Sequence, residues 1–410
     1  MDYLRRGNKE LIKDINRALV IDRIRSGDPI SRTEIAQRTK LGLSTITKII
    51  DGLLDQRLVK EVGEGDSSGG RRPIYVDFNY NYGFVVGIKI EKQQVILATT
   101  DLRPTVQHKL HLPFTAGASA DTVMREIEHG LDQILTGYEE RNLACLGIGI
   151  GVSGLVDKDA GVLLHSSLLG WDRIEFRAVL QKRYSVPVFV DNDVNVYTLA
   201  EICYGFGQEL RNFVLVTVGV GVGSGVVQNG QLYRGEYGGA GEFGHYVLVP
   251  GGNLCDCGQK GCLETYVNDA FVIAETKRLL SQEKDSVLYD NRRGLSIQDV
   301  IDAAAAGDFC ARKAVMTAGR NLGFGLLSLV NLLNPAAIIL AGEAMVNRDL
   351  IIPAVEEILP NNYFARYQPP VKLLVSQLGD DAWEIGAVSM VLNELFQAPI
   401  YRNQREARII

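Results

Sequence analysis

The 410-residue sequence has no run of apolar residues near the 18 that a membrane helix needs, and its first residues, MDYLRRGNKELIKD, hold no apolar leader segment. A membrane span and a secretory signal are therefore not expected, and the chain reads as cytoplasmic. It also lacks the glycine repeat of collagen, the charge excess of a disordered chain and the sustained heptads of a coiled coil; 22% charged residues and 43 glycines describe an ordinary globular protein. Cysteine is scarce, with six in all, and in a reducing compartment these are not expected to pair as disulfides. The length suggests two to four domains. Basic charge is short as well: the net charge is −6, which taken whole argues against a polyanionic partner.

The charge is not evenly spread. Residues 1–80 carry 15 basic and 12 acidic side chains, leaving 28 and 37 for the rest, so a mildly basic segment precedes an acidic body. In that segment Ile12, Ile15 and Leu19 recur at helical spacing until Gly27-Asp28-Pro29 stops the pattern. Ser31 and Glu34 form a capping box opening a second helix through Arg38. After the turn Lys40-Leu41-Gly42-Leu43, Ser44 is placed to cap a third helix with the stripe Ile46, Ile49, Ile50, Leu53 and Leu54. Ser44, Thr45, Thr47 and Lys48 fall outside that stripe. Two short helices across a tight turn read as a helix-turn-helix, the second helix reaching DNA base edges and phosphates. Two strands, 58–62 and 73–78, would form a wing whose tip carries Arg71 and Arg72. The same geometry also serves protein docking; the basic wing favours DNA.

From Gly83 onward strands alternate with helices, as an α/β body of two lobes around a cleft requires. The expected elements include a hairpin over 84–101, a helix over 122–138, strands over 145–152, 186–193 and 213–220, and a hairpin turning at Asn229-Gly230. Asp191-Asn192-Asp193 ends a strand. An amide beside carboxylates can hold a polyol, and the same triplet is an ordinary helix cap. His245 with Cys255, Cys257 and Cys262 has the composition and spacing of a closed, structural zinc site. The turn of residues 219–225, GVGVGSG, offers backbone N–H groups to phosphate, a weak signal on its own.

With GEFGH, CxCGxxGCLE and VDNDVN assembled, the chain resembles the ROK family of sugar kinases and sugar-responsive repressors over nearly its whole length. The N-terminal segment resembles the repressor branch, and within it the xylose repressors. The resemblance implies a winged helix-turn-helix (1–80) followed by an actin-like, hexokinase-type body. That body would comprise a first lobe (81–192), a second lobe with the zinc loop (193–380), and a C-terminal helix and tail (381–410) packing back on the first lobe. It implies Zn2+ as a structural ion, a homodimer, double-stranded operator DNA and a monosaccharide effector such as xylose or a glucose-like sugar. Ser167, Asn192, Asp193, Glu242, His245 and Glu264 would form the sugar shell.

Two departures bear on function. Family kinases carry Asp-x-Gly-Gly-Thr where this chain has Lys89-Ile90-Glu91-Lys92-Gln93, and Val220 stands in place of a threonine. Side chains there would fill the phosphate cradle, so a non-enzymatic regulator is expected, with an ATP-dependent sugar kinase carrying a DNA module as the alternative. Ser166-Ser167 replaces a Pro-Asn pair, which leaves the sugar's identity open.

Overall fold

The computed structural model describes residues 8–25, 27–64, 72–103 and 105–396. The N-terminal module holds α1 (Lys9–Arg25), α2 (Arg32–Thr39) and α3 (Leu43–Asp55), with strands β1 (Ile30–Ser31), β2 (Val59–Glu64) and β3 (Ile74–Phe78) in the antiparallel order β1-β3-β2. The capping box at α2 forms as the sequence predicts: the Glu34 N–H donates to Ser31 Oγ at 3.2 Å and the Ser31 N–H to Glu34 Oε2 at 3.0 Å. Two expectations need correcting. Ser44 does not cap α3, because the N–H groups of Thr45 and Ile46 reach the Gly42 carbonyl at 2.9 and 3.1 Å and start the helix one residue before it. In α1, Ile12 and Leu19 are exposed, while Leu11, Val20, Ile21 and Ile24 are buried. The helix is apolar on two flanks, and tertiary packing selects the flank that periodicity alone did not.

The first lobe contains β4 (Phe84–Ile90), β5 (Gln94–Thr100), β6 (Val106–Pro113), α4 (Ala120–Glu139), β7 (Cys145–Val152), β8 (Leu155–Asp157), β9 (Val162–Ser166), β10 (Trp171–Ile174), α5 (Phe176–Tyr184) and β11 (Val188–Asn192). Its main sheet has the order β11-β7-β4-β5-β6: an antiparallel meander extended by two parallel strands. Helix α6 (Asp193–Tyr204) leads to the second lobe, which contains β12 (Phe213–Val218), β13 (Val222–Gln228), β14 (Gln231–Tyr233), α7 (Asp269–Leu280), α8 (Ile297–Ala305), α9 (Phe309–Leu333), β15 (Ala337–Ala341), α10 (Arg348–Glu356) and β16 (Lys372–Val375). The order β14-β13-β12-β15-β16 repeats the first lobe's plan, again with three antiparallel strands and two parallel additions. The chain thus builds one sheet topology twice, and in sheets of this kind ligands belong at the carboxyl ends of the parallel strands.

The last described helix, α11 (Ala382–Phe396), returns to the first lobe. The alternating glycines of CLGIGIGV explain how. A Cβ on Gly149 would run into the Ala387 carbonyl, one on Gly147 would lie 2.6 Å from Val391 Cγ1, and one on Gly87 2.9 Å from the Glu384 carbonyl. Bare backbone on β4 and β7 therefore lets α11 lie flush on the sheet, and nearly its whole surface is buried. At its C-terminal end Phe396 meets Phe78 edge-on, with ring centroids 5.5 Å apart, and the Arg25 guanidinium lies 5.2 Å from the same ring. One apolar cluster consequently runs from α1, α3 and β3 through α11 to α6.

Candidate functional site

The segment after the β13–β14 hairpin folds tightly around four potential metal ligands. Gly258 and Gly261 take positive φ values of 86° and 88°, the region that favours glycine, and the Cys255 N–H closes onto the Gln259 carbonyl at 2.8 Å. The ligand atoms of His245, Cys255, Cys257 and Cys262 all lie within 4.8 Å of one another. Cys255 Sγ is 3.6 Å from His245 Nδ1, and the sulfurs of Cys257 and Cys262 are 3.7 Å apart. A tetrahedral zinc with bonds of about 2.3 Å to sulfur and 2.0 Å to nitrogen has edges of about 3.5 Å (N to S) and 3.8 Å (S to S). The donor set fits zinc in kind, number and spacing, and four protein ligands leave no open coordination position.

Beside this loop, β11 hands over to α6 at the sequence Asp191-Asn192-Asp193. Asn192 caps the helix, its Oδ1 accepting from the N–H groups of Val194 and Asn195 at 2.9 and 3.2 Å. Its Nδ2 donates to the Gly154 carbonyl at 3.0 Å, leaving one amide hydrogen for a ligand. Asp193 accepts from the Val194 N–H at 2.9 Å. Burial pushes its carboxyl up to about 6; Lys89 opposes the shift and Glu242 adds to it. Glu242 is pushed up as well, first by burial and then by Glu264, against the pull of His245. Glu264 Oε2 accepts from the Val222 N–H at 2.9 Å, and its other oxygen stands 3.9 Å from Cys255 Sγ. His245 links the two groups: Nδ1 faces the thiols, and Nε2 lies 3.9 Å from Glu242 Oε2. Ser167 is exposed on the turn after β9.

The structure brings Arg234, Trp383, Glu343 and Asp269, which no local pattern announced, against residues the sequence did single out. Asp191, 2% exposed, accepts from the Asn192 N–H and from Asn195 Nδ2 through one oxygen, while Arg234 Nε and Nη2 hold the other at 2.9 and 2.8 Å. Arg234 follows β14, so this ion pair joins the lobes beside Asn192 and Asp193. Lys89 pairs with Glu91 and lies 3.8 Å from the centre of the Trp383 ring. At the glycine turn the Gly219 N–H is taken by the Gly221 carbonyl at 3.0 Å, and the Glu343 carboxylate packs where a Cβ on Gly219 would stand. Asp269 follows closely, its N–H donating to the Gly219 carbonyl at 3.0 Å, and burial together with Glu343 pushes its carboxyl up to about 6.

In the N-terminal module Ser44 and Lys48 are exposed on α3, Thr45 and Thr47 are half-buried, and Thr47 Oγ1 donates back to the Leu43 carbonyl at 2.9 Å. Arg72 is exposed; Arg71 lies outside the described residues, as does most of the expected tip. Arg32 bridges Asp51 and Glu61 at 3.3 and 3.4 Å and ties α3 to β2. Among the described residues no helix is long and apolar enough to cross a membrane.

The ROK family profile matches residues 85–394, from the first strand of the body into α11. The chain belongs to the ROK family. The xylose repressor of Bacillus subtilis is 30% identical, the match covering 94% of this chain and 97% of that one. The crystal structure of a ROK family transcriptional regulator, a homologue of the E. coli MLC protein, superposes with a TM-score of 0.85 at 26% identity, covering 95% of this chain and 98% of that one. A ROK glucokinase from Streptomyces griseus, solved with glucose and AMPPNP, matches with a TM-score of 0.66 and 26% identity, covering 99% of its own length but 75% of this chain. The ROK fold of this protein is thus the actin-like fold of the family's sugar kinases, and its likeness to the regulator extends through the N-terminal module.

Proposed function

We propose that this ROK protein is a sugar-responsive transcriptional repressor of carbohydrate-utilisation genes. A cytoplasmic homodimer binds operator DNA through an N-terminal winged helix-turn-helix and is released when a monosaccharide, xylose or a glucose-like sugar, occupies the cleft. The observation that carries this reading is the N-terminal module: it presents the polar face of α3, and its core continues without a break into α6, the helix that starts at Asp193. The regulator's match spans this module, whereas the glucokinase accounts for the body. Ser44, Thr45, Thr47 and Lys48 on α3, with Arg71 and Arg72 on the wing, are the proposed DNA contacts. Ser167, Asn192, Asp193, Glu242, His245 and Glu264 are the proposed sugar shell.

Three contacts support a receptor over a kinase. Lys89, at the sequence position of the kinases' first phosphate turn, pairs with Glu91 and packs on Trp383. Glu343 packs on Gly219 of the second, and Glu264 already uses the Val222 N–H. Phosphoryl transfer depends on positioning and charge, and carboxylates at these turns would work against both. One observation favours the kinase: Asp193, with its carboxyl at about 6, keeps the character of a general base. The zinc would be structural, holding His245 so that its free ring nitrogen faces Glu242.

The test is isothermal titration of the intact protein with D-xylose, D-glucose and N-acetyl-D-glucosamine, alongside an ATP-dependent phosphorylation assay. Sugar binding without turnover is expected; robust turnover would overturn the receptor reading. Lys48→Ala and Arg72→Ala should each weaken DNA binding and flatten its salt dependence by about one unit of slope.

A further inference from the structure

The turn that carries Ser167 is built unlike a plain serine turn. Strands β9 and β10 pair antiparallel with His165 directly opposite Asp172, and His165 Nδ1 lies 2.7 Å from Asp172 Oδ1. A carboxylate only accepts, so Nδ1 carries the hydrogen. The other ring nitrogen, Nε2, lies 3.2 Å from Ser167 Oγ. In the neutral ring Nε2 then holds a lone pair, and Ser167 must spend its single hydrogen on it. The two lone pairs of Ser167 Oγ remain for a ligand. Buried Ser166 fixes the turn from beneath, its Oγ accepting from the Leu169 N–H at 3.2 Å and its carbonyl from the Gly170 N–H at 2.9 Å. Gly154, whose carbonyl accepts from Asn192, packs against the His165 carbonyl and the Ser166 backbone, which ties the turn to the Asn192 cap.

The side chains of His165 and Asp172 are 55% and 79% exposed. A pair so open to water adds little to folding stability, which points to the orientation of Ser167 as its main effect.

We infer that His165 and Asp172 are positioning residues that determine ligand specificity, locking Ser167 as a hydrogen-bond acceptor, so that the cleft selects a ligand presenting a hydroxyl or amide N–H there. A phosphate, carboxylate or carbonyl oxygen at that position would face lone pairs and be rejected. This inference rests on the sugar-receptor reading and sharpens it: an asparagine at this place would both donate and accept, whereas the Asp172–His165–Ser167 relay recognises a donor alone.

The experiment is isothermal titration of the intact protein with D-xylose, D-glucose and N-acetyl-D-glucosamine, taking the sugar that binds most tightly and then its monodeoxy analogues. His165→Phe and Ser167→Ala should each weaken binding about tenfold, the loss of one well-placed hydrogen bond. The double variant should be no weaker than Ser167→Ala, because the two act as one unit. Asp172→Asn should lose about threefold, and melting temperatures should stay unchanged. One monodeoxy analogue should bind the unaltered protein about tenfold more weakly than the full sugar, and lose nothing further against Ser167→Ala. Unchanged affinity in His165→Phe, or single losses that multiply in the double variant, would overturn the relay while leaving the receptor standing. Failure of all three sugars to bind the unaltered protein would overturn the receptor reading, and the relay with it.

Discussion

Among the residues of the proposed sugar shell, Asp193 has a carboxyl pKa that burial raises strongly. Its value in the folded protein, about 6, lies above the ordinary range for aspartate. The folded state therefore favours the protonated form, and the contribution of Asp193 to stability is greatest below about pH 4 and lost as pH rises through 6. Asp193→Asn should raise stability at pH 7.5 by on the order of 2 kcal/mol, with no gain at pH 4, as urea midpoints at the two values would measure. The same substitution should abolish sugar binding. In sequence the Asp-Asn-Asp triplet reads either as a helix cap or as a polyol ligand, and the structure divides it: Asn192 caps, Asp191 pairs with Arg234, and Asp193 lies within the influence of Lys89 and Glu242. Neither Arg234 nor His165 could be found from the sequence, because each gains its role from a partner that strand pairing or lobe packing brings near.

At the scale of elements, legibility follows how local the cause is. The capping box of α2 is written in four residues and forms; Ser31→Ala should cost about 1 kcal/mol by denaturant unfolding. The Asn229-Gly230 turn is equally local, with φ of 55° and 79°. Strand β6 is not legible in sequence, because its exposed positions, His108, Lys109 and His111 among them, obscure the alternation of an edge strand. The glycines of β7 were legible as a buried strand, but their reason, the backbone of α11 pressed against them, lies more than two hundred residues away. Gly149→Val should therefore cost more than 3 kcal/mol or prevent folding, since the clash is with the Ala387 main chain, which cannot swing aside. In the cysteine loop the spacing was legible in full, because ligand chemistry is local. Cys257→Ser should lower bound zinc toward zero by elemental analysis and destabilise the second lobe.

For the whole molecule, the net charge of −6 concealed a basic module on an acidic body, and the structure shows that the two are not separate beads. Phe78 of the module and Phe396 of the last described helix share one contact, capped by Arg25, while the other end of that helix holds Trp383 beside Tyr197 and Lys89. Phe396→Ala should cost about 3 kcal/mol, read as an earlier urea midpoint. Release of DNA by sugar further requires that the sugar bind the free protein more tightly than the DNA-bound protein, since equal affinities would shift nothing. The most direct measurement is fluorescence anisotropy of the intact protein on a duplex selected from a random pool, titrated with the sugar that calorimetry identifies. We expect the bound fraction to fall as sugar saturates, with no need for ATP. DNA held equally tightly at saturating sugar would contradict the account.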